Sequence, residues 1–200
     1  MVNKRKHIII SGTGRSGTTF LVQLFTALGL DTGFETVDSD FYKHCNAGME
    51  KDIRIEDSPY IIKTPWLCDY IEEVLSSKNI KIELAIIPIR DLFSAAESRR
   101  FVSDNYEDKT VKKTDIPGGL WHADIPELQE EILAKKLYNL IYFLTIYNVP
   151  IVFLYFPKFV KDPTYLYNKL NTFLNLPKKN IFKKIFYGIS KPELIHDFLI

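Results

Sequence analysis

Three glycines, an arginine and a hydroxyl pair follow one another in Gly12-Thr13-Gly14-Arg15-Ser16-Gly17-Thr18-Thr19, and these are the residue types that hold a phosphate or sulfate group. The glycines let the backbone turn with its N–H groups pointing inward, and a helix starting just after them adds partial positive charge at the same spot. Gly12 and Gly17 keep the G-x-x-x-x-G spacing of a nucleoside triphosphatase loop. Thr18-Thr19 then stands where such an enzyme has Lys-Ser or Lys-Thr. With that lysine missing and the cation moved upstream to Arg15, another phosphorylated ligand is a better expectation than triphosphate hydrolysis. Two further cations close apolar runs: Lys63 after Tyr60-Ile61-Ile62, and Arg90 after the run from Ile82 to Ile89. Plain alternatives are a tight strand-to-helix connection, a snorkelling lysine and a strand-end arginine paired with an acid.

The elements that must position these residues alternate in type. His7 to Ile10 reads as a short buried strand, followed by a helix running to Leu28 with Gly29 as its stop. Asp31 to Met49 is polar and irregular, and can fold back as a lid or acceptor wall. Tyr60 to Lys63 is a second strand, ended by Thr64-Pro65 and followed by a helix from Trp66 to Ser76. Ile82 to Ile89 is a third strand, and Asp91 caps the helix from Leu92 to Phe101, which carries Ser98. Ser103 to Pro126 is a long irregular stretch. Glu127 to Tyr147 reads as a helix with Leu128, Ile132, Leu137, Leu140, Ile141 and Leu144 as core positions. Pro150 to Phe156 is a fourth, fully buried strand, and Asp162-Pro163 opens another helix.

With 200 residues and 46% hydrophobic content, the chain has apolar material for one core, so residues 1–200 are expected as a single domain. Basic and acidic side chains nearly cancel at 26 against 25, so no global field points to nucleic acid or an anionic membrane. Cys45 and Cys68 make neither a metal spacing nor a disulfide framework. The apolar run after the basic N-terminus is too short for a signal peptide or membrane span, so a soluble, cytoplasmic protein is expected.

The segment Arg15-Ser16-Gly17-Thr18-Thr19-Phe20-Leu21 resembles the 5′-phosphosulfate loop of sulfotransferases that use 3′-phosphoadenosine 5′-phosphosulfate (PAPS), of the carbohydrate type or the small bacterial type. Arg90 and Ser98, in Arg-x7-Ser spacing, resemble the family's 3′-phosphate element. Asp162-Pro163 and Phe173-Leu174-Asn175-Leu176-Pro177 resemble a late architectural segment. The resemblance implies an α/β fold, a three-layer α/β/α sandwich with a mostly parallel central sheet of the P-loop nucleotide-binding type. It implies that Gly14, Arg15, Ser16, Gly17, Thr18 and Thr19 hold the 5′-phosphosulfate, and that Lys63 acts on the transferring sulfuryl group. Phe20 would lie near adenine or in the core. Many relatives have Lys-Thr-His where this chain has Lys63-Thr64-Pro65, so the general base comes from elsewhere. Glu35 is the first expectation, with Asp38, Asp40, His44 and His122 open. The implied acceptor is a hydroxyl on a small molecule or glycan, and no metal is implied. A P-loop small-molecule kinase and a non-catalytic nucleotide-binding module are the alternatives.

Overall fold

The computed structural model describes residues 4–196 and 198. Strand β1, Arg5–Ile10, runs into the glycine-rich turn and then helix α1, Thr18–Ala27. The excursion that follows carries a small antiparallel hairpin, β2 (Phe41–Tyr42) and β3 (Ala47–Gly48). Next come β4 (Ile61–Lys63), α2 (Leu67–Ser76), β5 (Ile80–Ile89) and α3 (Leu92–Asp104). A long segment without helix or strand leads through a 3-10 turn at Pro126–Leu128 to α4 (Gln129–Ile146) and β6 (Ile151–Tyr155). Helices α5 (Lys158–Lys161), α6 (Pro163–Leu170) and α7 (Lys179–Ile189) follow, and a 3-10 turn at Pro192–Leu194 comes last among the described residues.

Strands β4, β1, β5 and β6 pair in that order, all parallel. Parallel strands covered on both faces read as unbroken apolar runs, which is what the isoleucines of β1 and β5 supply. Ile8, Ile10, Leu84 and Ile86 pack on one face with Leu21 and Leu24 of α1, Leu166 of α6 and Phe182 of α7. Ile9, Ile62, Ala85 and Ile87 pack on the other with Ile71 of α2, Ala95 of α3 and Leu140 of α4. The molecule is thus a three-layer α/β/α sandwich. Among the described residues no helix is long and apolar enough to cross a membrane.

The packing of α4 and β6 differs from the sequence reading. On α4 the buried stripe is Leu133, Leu140 and Leu144, while Leu128 is 43% exposed, because the 3-10 turn delays the helix and swings Leu128 off the core face. Strand β6 alternates, with Val152 and Leu154 buried and Phe153 and Tyr155 exposed. It is the sheet's edge, and helices cover only one of its faces there. Leu133→Ala should therefore destabilise the fold by about 2–5 kcal/mol in a denaturant titration, whereas Leu128→Ala should cost far less.

Register fixes what the sheet presents. Ile10 pairs with Lys63 on one side and Ile86 on the other, so the glycine-rich turn, Lys63-Thr64 and Arg90 leave the sheet along one carboxyl edge. In open α/β sheets ligands collect along this edge.

Candidate active site

Gly14, Arg15 and Gly17 have positive φ angles of 66°, 52° and 79°. Such a run turns successive N–H groups to one side and makes an anion-binding concavity. Among the described residues, the backbone N–H groups of 12–18 make no hydrogen bond, and Gly17 stands at the start of α1 without a side-chain cap. A Cβ at Gly17 would meet Phe159 Cζ at 2.8 Å, and one at Gly14 would meet Arg99 Nη2 at 2.5 Å. Both positions need glycine for conformation and for space. Ser16 is fully buried, and its hydroxyl has no partner among the described residues.

Arg15 reaches α3 and the hairpin at once. Its Nε donates to Ser98 Oγ at 3.0 Å, and its Nη1 donates to the Cys45 carbonyl. Arg90 Nη1 donates to the Arg15 carbonyl at 2.7 Å, and its Nη2 to the His196 carbonyl at 2.5 Å. Arg15, 75 residues before Arg90 and 83 before Ser98, therefore joins them in one hydrogen-bonded group. Asp91 caps α3 by accepting from Ser94 N–H at 2.8 Å, which fixes the helix start beside Arg90.

Lys63 is buried at the end of β4, and its Nζ donates to Thr19 Oγ1 at 2.8 Å, Gly48 O at 2.6 Å and Glu50 Oε1 at 2.8 Å. Those three bonds tie α1, the hairpin and Glu50 to one ammonium. Gly48 permits the contact: it has φ 124°, and a Cβ there would lie 2.1 Å from the Asp40 carbonyl.

Arg99, one residue past Ser98, is buried as well. Its Nη1 donates to Gly119 O and its Nη2 to Thr13 O, both at 2.7 Å, which clamps the turn to the long segment before α4. Its Nε has no partner among the described residues. Burial pulls the Arg99 guanidinium down to about 9, with the nearby charge of Arg15 acting the same way. Burial also lowers Arg15, and lowers Lys63 against the opposing pull of Glu50. Lys63 has a carboxylate partner; among the described residues Arg15 and Arg99 donate to neutral oxygens. Buried charge without a counter-charge is costly, and an anion in the cavity would relieve it.

Gly14, Arg15, Gly17, Thr18, Thr19, Phe20, Lys63, Arg90 and Ser98 all line one cavity of about 430 Å³. Phe20 also belongs to the core, 5.4 Å from the Phe186 ring and 6.1 Å from that of Phe159. The acidic excursion contributes differently from the sequence reading. Glu35 is exposed and lies outside the residues that line the cavity, because Gln23 Nε2 donates to Val37 O at 2.9 Å and only beyond that anchor does the chain return over the site. Asp38 and Glu50 line the cavity. Asp40 is exposed, 3.7 Å from Lys51 Nζ; His44 is exposed beside Pro117 O; His122 is exposed, 3.1 Å from Asp69.

Compared with known proteins, the chain matches no family model, no curated protein and no solved structure.

Glu50 and Arg99 are the residues that sequence reasoning passed over. Glu50 sits in an irregular stretch with no periodicity to mark it. Arg99 reads as an ordinary helix charge, and its proximity to Ser98 was the one available signal.

Proposed function

We propose that the protein is a sulfotransferase that moves a sulfuryl group from PAPS to a hydroxyl acceptor and releases adenosine 3′,5′-bisphosphate. The observation that carries this reading is the convergence in one cavity of unbonded loop N–H groups, Arg15 and Arg99 without carboxylate partners, and the Arg90–Arg15–Ser98 group. A ligand with two separate anionic ends suits that set. Arg15, Thr18 and the loop N–H groups would hold the 5′ end, and Arg90 with Ser98 the 3′-phosphate.

When bound, PAPS supplies the sulfuryl group: the acceptor oxygen bonds to sulfur while the bond from sulfur to the bridging oxygen breaks, leaving its electron pair on the phosphate. Fixed cations and N–H donors lower the barrier where that charge develops. Lys63, at the carboxyl end of β4 and oriented by Thr19, Gly48 and Glu50, would be such a cation. Glu50 takes the acceptor proton. Its Oε1 is engaged by Lys63, its side chain is 18% exposed, and it lines the cavity, so the carboxylate is both fixed and reachable.

A calorimetric titration with adenosine 3′,5′-bisphosphate tests the reading. Arg90→Ala should weaken binding by about 1.5–3 kcal/mol, the range for a hydrogen bond to a charged group. Unchanged affinity in that variant would remove Arg90 from the nucleotide site.

A further inference from the structure

Charge nearly cancels over the whole chain but not over its layers. Residues 158–191 hold eight lysines and one acid, Asp162, for a net charge of +7, whereas the remaining positions, with 18 basic and 24 acidic side chains, carry −6. That segment folds into α5, α6 and α7, which cover one face of the sheet together with α1, a helix without a charged residue. Asp162 is engaged as the cap of α6, accepting from the N–H groups of Thr164 and Tyr165. Among the described residues, none of the eight lysines lies within ion-pairing distance of a carboxylate. Lys158 and Lys169 instead stand over the Tyr165 ring, 4.9 and 5.9 Å from its centre, and Lys179 stands 5.7 Å from that of Tyr167 while donating to Asn168 Oδ1 at 3.3 Å. These contacts join the three helices into one continuous basic surface.

Apolar side chains stand among these charges. Phe182 and Phe186 of α7 are buried, so the opposite face of the helix points outward and presents Ile181, Lys184 and Tyr187 at three-residue spacing. Ile181 is 47% exposed and Tyr187 66%, and Phe173, between α6 and α7, is 49% exposed. Lysines interleaved with exposed aromatic and aliphatic side chains suit the surface of an anionic bilayer, where charge draws the protein in and apolar groups reach past the headgroups. Two features favour a bilayer over a soluble polyanion. Residues 158–191 contain no arginine, the residue whose planar fork reads individual phosphates, and a lysine's point charge serves a diffuse field as well. Ile181 has no flat face on which a nucleobase could stack.

We propose that the α5–α7 layer is a docking surface for an anionic phospholipid membrane, its lysines lying over the headgroups and Ile181, Tyr187 and Phe173 reaching the acyl boundary. Phe182 and Phe186 stay in the protein core, so α7 docks as part of the folded layer. Ile189 and Lys191, at the end of α7, also line the cavity, so the docking surface borders the candidate site. The inference is independent of what that cavity binds.

The test is co-sedimentation of the full chain with vesicles of phosphatidylcholine alone and of an equimolar mixture of phosphatidylcholine and phosphatidylserine. The mixed vesicles should bind it at least about ten-fold tighter, and the difference should shrink as salt is raised. Lys178→Gln combined with Lys184→Gln should weaken binding to the mixed vesicles about 25-fold, or about five-fold per lysine, the equivalent of about 1 kcal/mol each. Ile181→Ser combined with Tyr187→Ser should weaken it at unchanged charge. Lys78→Gln combined with Lys135→Gln, outside the layer, should leave it as it is. All six side chains are exposed, so the variants should fold, and thermal unfolding checks that they do. Equal binding to the two kinds of vesicle, or wild-type binding in the Lys178 and Lys184 variant, would overturn the proposal. Duplex DNA and heparin are titrated in parallel: tighter binding to either than to the mixed vesicles, or no effect of the Ile181 and Tyr187 changes on vesicle binding, would assign the surface to a soluble polyanion and overturn the membrane assignment.

Discussion

Replacing Glu50 by glutamine should lower sulfuryl turnover by about 10²–10⁴, the range for loss of a general base. Nucleotide affinity should hold or rise. The amide keeps the shape of the carboxylate but removes its negative charge from beside Lys63, 2.8 Å away, so the cavity becomes more positive toward an anion. A merely structural role for Glu50 would move the two quantities together, since a disturbed hairpin would also weaken the nucleotide. Single-turnover rates and nucleotide titrations on Glu50→Gln, with Asp38→Asn and Glu35→Gln alongside, separate the cases. Full turnover in Glu50→Gln with loss in Asp38→Asn would move the base to Asp38, the other carboxylate of the excursion that lines the cavity.

Lys63→Met should have a comparable effect by a different route. Turnover should fall by about 10²–10³ through loss of a fixed charge where negative charge develops. Stability should fall as well, because the change strips Glu50, Thr19 and the Gly48 carbonyl of their shared donor. Breaking a buried ion pair from one side costs about 3–5 kcal/mol, and the partial exposure of Glu50 places this pair at the lower end. Pairing Lys63→Met with Glu50→Gln should recover much of the stability and none of the turnover. Thermal unfolding and rate measurements on the two single variants and the double variant check both parts. Wild-type turnover in Lys63→Met would place the lysine outside the chemistry.

How much of this was legible beforehand depended on whether position in sequence implied position in space. The β1–turn–α1 unit was, because three consecutive isoleucines, the glycines and the helix-forming run after Gly17 each constrain the backbone locally. Lys63 and Arg90 were readable as strand ends, since parallel strands deliver their last residues to a common edge. Glu50 was not. Its approach to Lys63 depends on the pairing of Phe41 with Gly48 and on the close passage of Gly48 under the Asp40 carbonyl, neither of which leaves a periodic trace. Glu35 is the first glutamate after the loop helix, yet it precedes the Gln23 to Val37 bond, and the excursion's cavity-lining residues begin after that bond, at Asp38. Arg99 escaped notice because its burial comes from the packing of 119–121 against α3, a contact between a helix and a segment with no regular structure. Helix α7 is absent from the sequence reading, although Phe182 and Phe186, four residues apart and both buried, carry a helical spacing.

The most direct measurement of the central claim is a pair of calorimetric titrations without divalent metal, one with adenosine 3′,5′-bisphosphate and one with ADP. A site that uses Arg90 and Ser98 for a 3′-phosphate should prefer the first by roughly ten-fold to a hundred-fold, the equivalent of one charge-assisted contact. Equal affinities, or tighter binding of ADP, would contradict it.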